Sequence, residues 1–197
     1  MPTIHLPEEA EHRTRLLEAI GRAVATHGYA DTTIAHIVRE AGVSRRTFYE
    51  HFGTKADCFI ALYEAASRAG LAVLRGAIDP AHEWPAQVEH AMAAYLGYMA
   101  GNPVLLRTLF IGILGLGAEG LAARRRLNQD IARFMLDVVN ARQGGRKRKA
   151  PLTPEMATAV VGGIHELVLQ ALEAGRVGQL KQLAGPAALL VRSVAQA

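Results

Sequence analysis

Between Arg45 and His51 the chain reads RRTFYEH, which puts two guanidiniums, a hydroxyl, a phenol and an imidazole close together, with Glu50 as the lone carboxylate among them. Donors of several shapes suit the floor of a DNA major groove, where base edges and phosphates both accept hydrogen bonds. A guanidinium can meet the O6/N7 edge of guanine in two bonds, so at least one of Arg45 and Arg46 is expected on bases, with Thr47 on the same outward face. Tyr49, His51 and Lys55 are assigned to backbone phosphates. Thr33 and Ser44 are helix-capping residues, and the amides they precede can also bind a phosphate. Each of these residues also has a plain structural reading: solvated charge for the arginines, packing for Tyr49, simple exposure for His51.

Other patterns that spell chemistry lack their context. Gly115, Gly117 and Gly120 form a GxGxxG string with Asp137 at the distance of a ribose-binding acid, but no β-α-β unit surrounds it, and the apolar run before it reads as helix. Those glycines are read as a flexible joint between helices. His165-Glu166 begins like a zinc-protease motif, yet Leu169 occupies the place of the second histidine. The histidines at 5, 12, 27, 36, 51, 82, 90 and 165 form no ligand-like group, and Cys58 falls on the inner face of its helix. No catalytic set, metal or cofactor is expected, and the chain is read as a non-enzyme.

The elements that must position the donors follow from spacing. Ile34, Ile37, Val38 and Ala41 fall on one face of a short helix, Val43 sits in a turn, and Phe48 and Phe52 supply the inner face of a second. Gly42 closes the first helix in a left-handed conformation and Ser44 caps the second, the arrangement of a helix-turn-helix. A preceding helix over about 11–27 contributes Leu16, Leu17, Ile20, Ala23 and Val24, and Gly28 ends it. Beyond Gly53-Thr54 a longer helix runs from Lys55 to about Leu74, with Cys58, Phe59, Leu62, Tyr63, Ala66 and Leu71 inward. Helices are expected at about 85–101, 103–116, 118–142, 154–175 and 177–195, the last bent at Gly185-Pro186. Residues 1–10 read as a polar arm and RQGGRKRKAPLTP as a disordered loop, whose basic run Arg146 to Lys149 is solvated. The expected fold is all-α throughout.

Bulk properties narrow the setting. At 197 residues and 21.2 kDa the chain can hold one large core or a small domain on a larger one, and a net charge of +4 is too weak alone to argue for nucleic acid. One cysteine excludes an intrachain disulfide and fits the cytoplasm. No signal peptide is apparent, and the apolar run Leu109 to Ala118 is short of the roughly 20 residues a membrane-spanning helix needs.

The string TTI..I...AGVS..T.Y.HF..K...F, filled here by Thr32, Thr33, Ile34, Ile37, Ala41, Gly42, Val43, Ser44, Thr47, Tyr49, His51, Phe52, Lys55 and Phe59, resembles the TetR family of bacterial transcriptional regulators. Cys58 departs from that pattern, where a larger aliphatic residue is usual. The resemblance implies a helix-turn-helix DNA-binding domain over residues 1–54 and a helical ligand-binding and dimerisation domain over 55–197. It implies a homodimer on double-stranded operator DNA, most simply a repressor released by a small, mostly apolar effector. Trp84, Met92, Tyr95, Tyr98, Met99, Phe110, Phe134, Met135 and His165 are the candidates for the pocket lining, with core packing the default for each. Val160, Ile164, Leu167, Val168 and Leu172, followed by Leu180, Leu183, Leu189, Leu190 and Val191, offer more apolar surface than one thin layer covers. Of these, Val160, Ile164, Val168, Leu172, Leu183 and Leu190 are the expected dimer interface. A small helical enzyme and a non-specific nucleic-acid protein are the rival readings.

Overall fold

The computed structural model describes residues 8–140 and 151–196, and every regular element among them is helical. In chain order these are α1 (Glu8–Asp31), α2 (Ile34–Ala41), α3 (Arg45–His51), α4 (Lys55–Gly76), α5 (Trp84–Ala100), α6 (Pro103–Gly112), α7 (Gly117–Asn140), α8 (Pro154–Glu173) and α9 (Ala184–Gln196). Short 3-10 turns, Ile113–Leu116 and Val177–Leu183, precede α7 and α9. Residues 1–7 of the expected arm and the basic run Arg146 to Lys149 lie outside the described residues, whereas residues 8–10, also expected in the arm, already belong to α1. The end of the expected loop is ordered: Leu152 is buried, and its backbone exchanges two hydrogen bonds with the side chain of Asn140 (3.0 and 3.2 Å).

The chain divides into two compact units. The first runs to Ala66 and takes in Val104–Ala123; the second comprises Ser67–Pro103 and the residues from Arg124 onward. In the first unit α1, α2 and α3 close on a core of Leu16, Ile20, Val24, Ile37, Phe48 and Phe52, continued by Cys58, Phe59 and Leu62 of α4. Val38, expected on the inner face of α2, and Val43 of the turn are half-buried. Gly112 of α6 lies where an added Cβ would come 2.9 Å from the Phe59 ring, so its lack of a side chain sets the distance between α6 and α4.

Local chemistry explains the boundaries. Gly28 (φ 76, ψ 161) breaks α1 as expected, but one more turn follows before the chain leaves for α2. Gly42 (φ 64) ends α2 in the left-handed region, where other residues pay a steric cost. The joint at 113–117, read from sequence as flexible, is closely packed. The helix expected over 103–116 stops at Gly112, Gly117 turns at φ 56, and a Cβ on Gly120 would stand 1.9 Å from the Ile113 carbonyl oxygen. The GxGxxG glycines therefore serve a chain reversal. The stretch Pro103–Asn140 contains an 18-residue window of membrane-like hydropathy, but this break leaves α6 only 10 residues long, about 15 Å against roughly 30 Å of hydrocarbon. α9 begins at Ala184, slightly before the expected bend, and Pro186 falls in its first turn, where a missing N–H leaves no bond unmade.

In the second unit α5 packs on α9 and on the 3-10 turn before it, and α8 on both of these. Leu96, Val168, Leu172, Leu180, Ala187 and Ala188 are among its buried side chains.

Candidate nucleic-acid interface and candidate pocket

The helix-turn-helix is assembled by caps. Thr33 Oγ1 accepts from the His36 amide (3.2 Å) while the Thr33 amide donates to His36 Nδ1 (3.4 Å), a reciprocal capping pair with histidine in the place glutamate usually takes. Ser44 Oγ accepts from the Thr47 amide (3.0 Å) and shares a hydrogen bond with the Thr47 hydroxyl (2.9 Å). Phe48 is fully buried and so fixes the roll of α3, turning Arg45, Arg46 and Tyr49 outward. Tyr49 keeps 55% of its surface exposed, its ring standing edge-on to that of Phe48. His51 is half-buried against Phe52.

Two charged residues are engaged within the chain. Arg46 Nε donates to Glu50 Oε1 at 3.0 Å one turn on, but its side chain is 91% exposed, so the pair contributes only about 0.3–0.5 kcal/mol and leaves the guanidinium available. Lys55 differs. Its amine donates to the backbone carbonyls of Tyr29 (2.7 Å), Thr32 (2.7 Å) and Ala30 (3.3 Å), and it lies 4.3 Å from the centre of the Tyr29 ring. An ammonium has three donors, and all three are used inside the protein. In the absence of DNA, Lys55 is thus directed at the end of α1 and not outward, where a phosphate contact is expected.

Beyond α3, Thr54 caps α4 by accepting from the Asp57 amide (3.1 Å). Cys58 is buried beneath this turn, and burial pushes its thiol up to about 12, which leaves it unreactive at neutral pH. His36 and the carbonyls at the end of α1 were missed in sequence. A histidine three residues after Thr33 signals the first, whereas the second depends on a backbone position that no residue type announces.

The second unit holds a small apolar recess that opens to the surface. Trp84, Val88 and Met92 of α5, Phe134, Met135 and Val138 of α7, and Val160, Val161 and Ile164 of α8 line it, together with Leu74, Ile78 and Val191. Of the candidates for a pocket lining, Trp84, Met92, Phe134 and Met135 border this recess. Met99 is buried without reaching the recess, Tyr98 is exposed, and Phe110 belongs to the first unit. Tyr95 and His165 are buried and meet through Tyr95 Oη and His165 Nε2 (3.1 Å), while His165 Nδ1 reaches Asn128 Oδ1 (3.1 Å). Burial, aided by Arg124, lowers His165 to about 4, so it is neutral at pH 7. Asn128 had no signal in the sequence, since a polar residue on an amphipathic helix is ordinarily solvated.

The expected dimer residues need correction. Val160, Ile164, Val168 and Leu172 are all buried within their own subunit, and Leu183 and Leu190 are half-buried. The outward side of α8 and α9 carries instead Met156, Ala159 and Leu189, with Met156 and Leu189 46% and 58% exposed. Gly163 approaches Leu190 of its own chain, whereas a Cβ on Gly162 would meet nothing within 4 Å.

Residues 16–62 match the model of the bacterial regulatory proteins of the tetR family. Among curated relatives, the nucleoid occlusion factor SlmA of Marinomonas sp. (strain MWYL1) is 26% identical over 114 residues, which cover 58% of this chain and 58% of that protein. The HTH-type transcriptional repressor AcnR of Corynebacterium diphtheriae is 31% identical over 81 residues, 40% of this chain and 43% of the relative. The chain thus spans about half the length of these relatives. The transcriptional regulator FadR from Bacillus subtilis, solved in complex with stearoyl-CoA, superposes with a TM-score of 0.77 over 90% of this chain and 96% of its own, at 16% identity, and so shares the fold.

Proposed function

We propose, from the match of residues 16–62 to the bacterial regulatory proteins of the tetR family, that this chain is a DNA-binding regulator of that family, and that it is a homodimeric transcriptional repressor released from its operator by a small apolar effector. Residues 1–54 form the DNA-reading part and 55–197 the effector-binding and pairing part. The reading is carried by one observation: Phe48 anchors a Ser44-capped α3 so that Arg45, Arg46 and Tyr49 stand exposed together. Each subunit lays α3 in a major groove, the two half-sites lying about one helical turn or a multiple apart. Arg45 and Arg46 reach bases; Tyr49 and His51 reach phosphates, and the amides behind the Thr33 and Ser44 caps add neutral phosphate contacts.

The effector occupies the recess bounded by Trp84, Met92, Phe134 and Ile164, whose wholly apolar lining favours a hydrocarbon-rich molecule. The stearoyl chain bound by the B. subtilis regulator of the same fold is one example of that chemistry. The partner subunit packs on Met156, Ala159, Gly162 and Leu189, apolar or glycine positions of α8 and α9 that the subunit itself leaves wholly or partly uncovered. The effector acts only through its unequal affinity for operator-competent and incompetent conformers. The protein works in the cytoplasm, where its DNA lies.

Selection of duplexes from a random pool tests the DNA reading directly. Wild-type protein is expected to enrich a two-fold related sequence, and Arg46→Ala to lose about 1–3 kcal/mol of discrimination at one base pair in each half-site. Tyr49→Phe weakens binding to all sequences alike. Equal losses on selected and random duplexes for Arg46→Ala would remove the base-reading role from that residue.

A further inference from the structure

The amine of Lys55 ends a chain of contacts that holds the entrance to the helix-turn-helix. Gly28 interrupts α1, and the residues just beyond it present the carbonyls of Tyr29, Ala30 and Thr32 without helical partners ahead of them. Such carbonyls at a helix end carry partial negative charge and favour a cation. The last turn of α1 contains no basic residue. Lys55, the first residue of α4, supplies the cation from 23 to 26 positions away in sequence. The same amine stands over the Tyr29 ring (4.3 Å from its centre), which in turn packs on Phe59 one turn further along α4 (5.4 Å between ring centres). The Thr32 hydroxyl donates to the Gly28 carbonyl (2.7 Å), closing the loop. Thr33, the cap of α2, follows immediately.

We propose that Lys55 is a positioning residue for DNA recognition: it fastens the α1–α2 junction to the start of α4 and so sets the orientation in which α2 and α3 meet DNA, without touching a phosphate itself. The inference rests on the DNA-binding reading. Burial lowers the pKa of this lysine while the nearby Asp31 acts in the opposite sense, as expected of an amine directed inward at the protein. Losing the clamp lets the junction sample orientations unsuited to DNA, and apparent affinity falls with the competent fraction.

The experiment compares wild type, Lys55→Met and Lys55→Arg on a duplex selected by the wild type, over a range of salt concentrations, with amide hydrogen exchange of each DNA-free protein. A phosphate-binding lysine would lower the slope of log K against log salt by about 0.9 per subunit, or about 1.8 for a dimer, and arginine would restore it. For a clamp, Lys55→Met weakens binding by about tenfold, the equivalent of losing a helix-end interaction, with the salt slope unchanged. Exchange quickens over residues 28–36 while the helices of the second unit keep their protection. Lys55→Arg shares the loss, because a planar guanidinium cannot place three donors on carbonyls converging at one point. A reduced slope, full rescue by arginine, or unaltered exchange at 28–36 overturns the proposal. Should Lys55→Met fail to fold, Lys55→Arg decides it by the same readouts. If the wild type selects no duplex, the functional reading fails, and the exchange comparison still judges the clamp.

Discussion

Helices α3 and α8 present opposite problems. α3 is seven residues long and buries one side chain, Phe48, leaving a polar face whose outward direction is fixed by that single anchor. α8 has twenty residues and buries eight, and the side that remains mixes Glu155, Thr158, Glu166, Gln170 and Glu173 with Met156, Ala159, Gly162, Gly163, Leu167 and Leu169. In α3, inside and outside differ cleanly in residue type; in α8 they differ only in part, because apolar residues lie on both sides. Hydrophobic periodicity therefore places the donors of α3 correctly on the surface. It mistakes the inner stripe of α8, Val160, Ile164, Val168 and Leu172, for a surface awaiting a partner. An amphipathic pattern orients a helix only when one of its faces is polar.

The largest test of this contrast is a matched pair of truncations. Phe48→Ala and Leu172→Ala each remove a fully buried side chain and are expected to cost about 3–5 and 2–5 kcal/mol in chemical unfolding. The Leu172→Ala loss should appear whatever the protein concentration. If the variant instead keeps its intrinsic stability and only dissociates on dilution, Leu172 faces a partner after all. Leu189→Arg, on the exposed side, should do the reverse: weaken pairing in sedimentation while leaving subunit stability nearly unchanged.

A second test uses pH. His165 titrates near 4 when folded and near 6.5 when unfolded, so between these values the unfolded chain binds the additional proton. Its contribution is thus intact above pH 6.5 and is lost as pH falls toward 4, about 3 kcal/mol in all. The stability difference between wild type and His165→Gln should shrink by that order over this window. A difference independent of pH would mean that His165 is solvated. Among the described residues of the first unit no histidine is buried, and helix caps are among its polar contacts. There the expected effect is smaller: Ser44→Ala, which deletes the acceptor for the Thr47 amide, should cost about 1 kcal/mol, and Ser44→Asp should recover most of it, both read from thermal melts.

Local signals made the first unit legible. Thr33, Gly42, Ser44 and Thr54 act over three or four residues, so their types announce the ends of α2, α3 and α4, and the structure has each of them at those ends. The TetR-type string extends this because its positions encode one compact supersecondary unit. Lys55 was legible as a cation but not in its direction. The same residue can point outward to a phosphate or inward to carbonyls, and only the break at Gly28 puts those carbonyls within its reach. The recess was legible as an apolar helical region, with Trp84 and Phe134 among its residues. Tyr98 and Phe110 were misplaced because aromatic character does not report which neighbour a ring meets.

By itself the sequence determined the all-helical class, the capped helix-turn-helix and the donors on α3, since each depends on interactions within a few residues or on a strong contrast between polar and apolar faces. Tertiary structure alone decided which apolar face of α8 lies inward, which of the aromatic residues line the recess, and that Lys55 grips the end of α1. Those outcomes depend on which distant surfaces meet. Where residues of one chemical type cover several faces, only packing can choose among them.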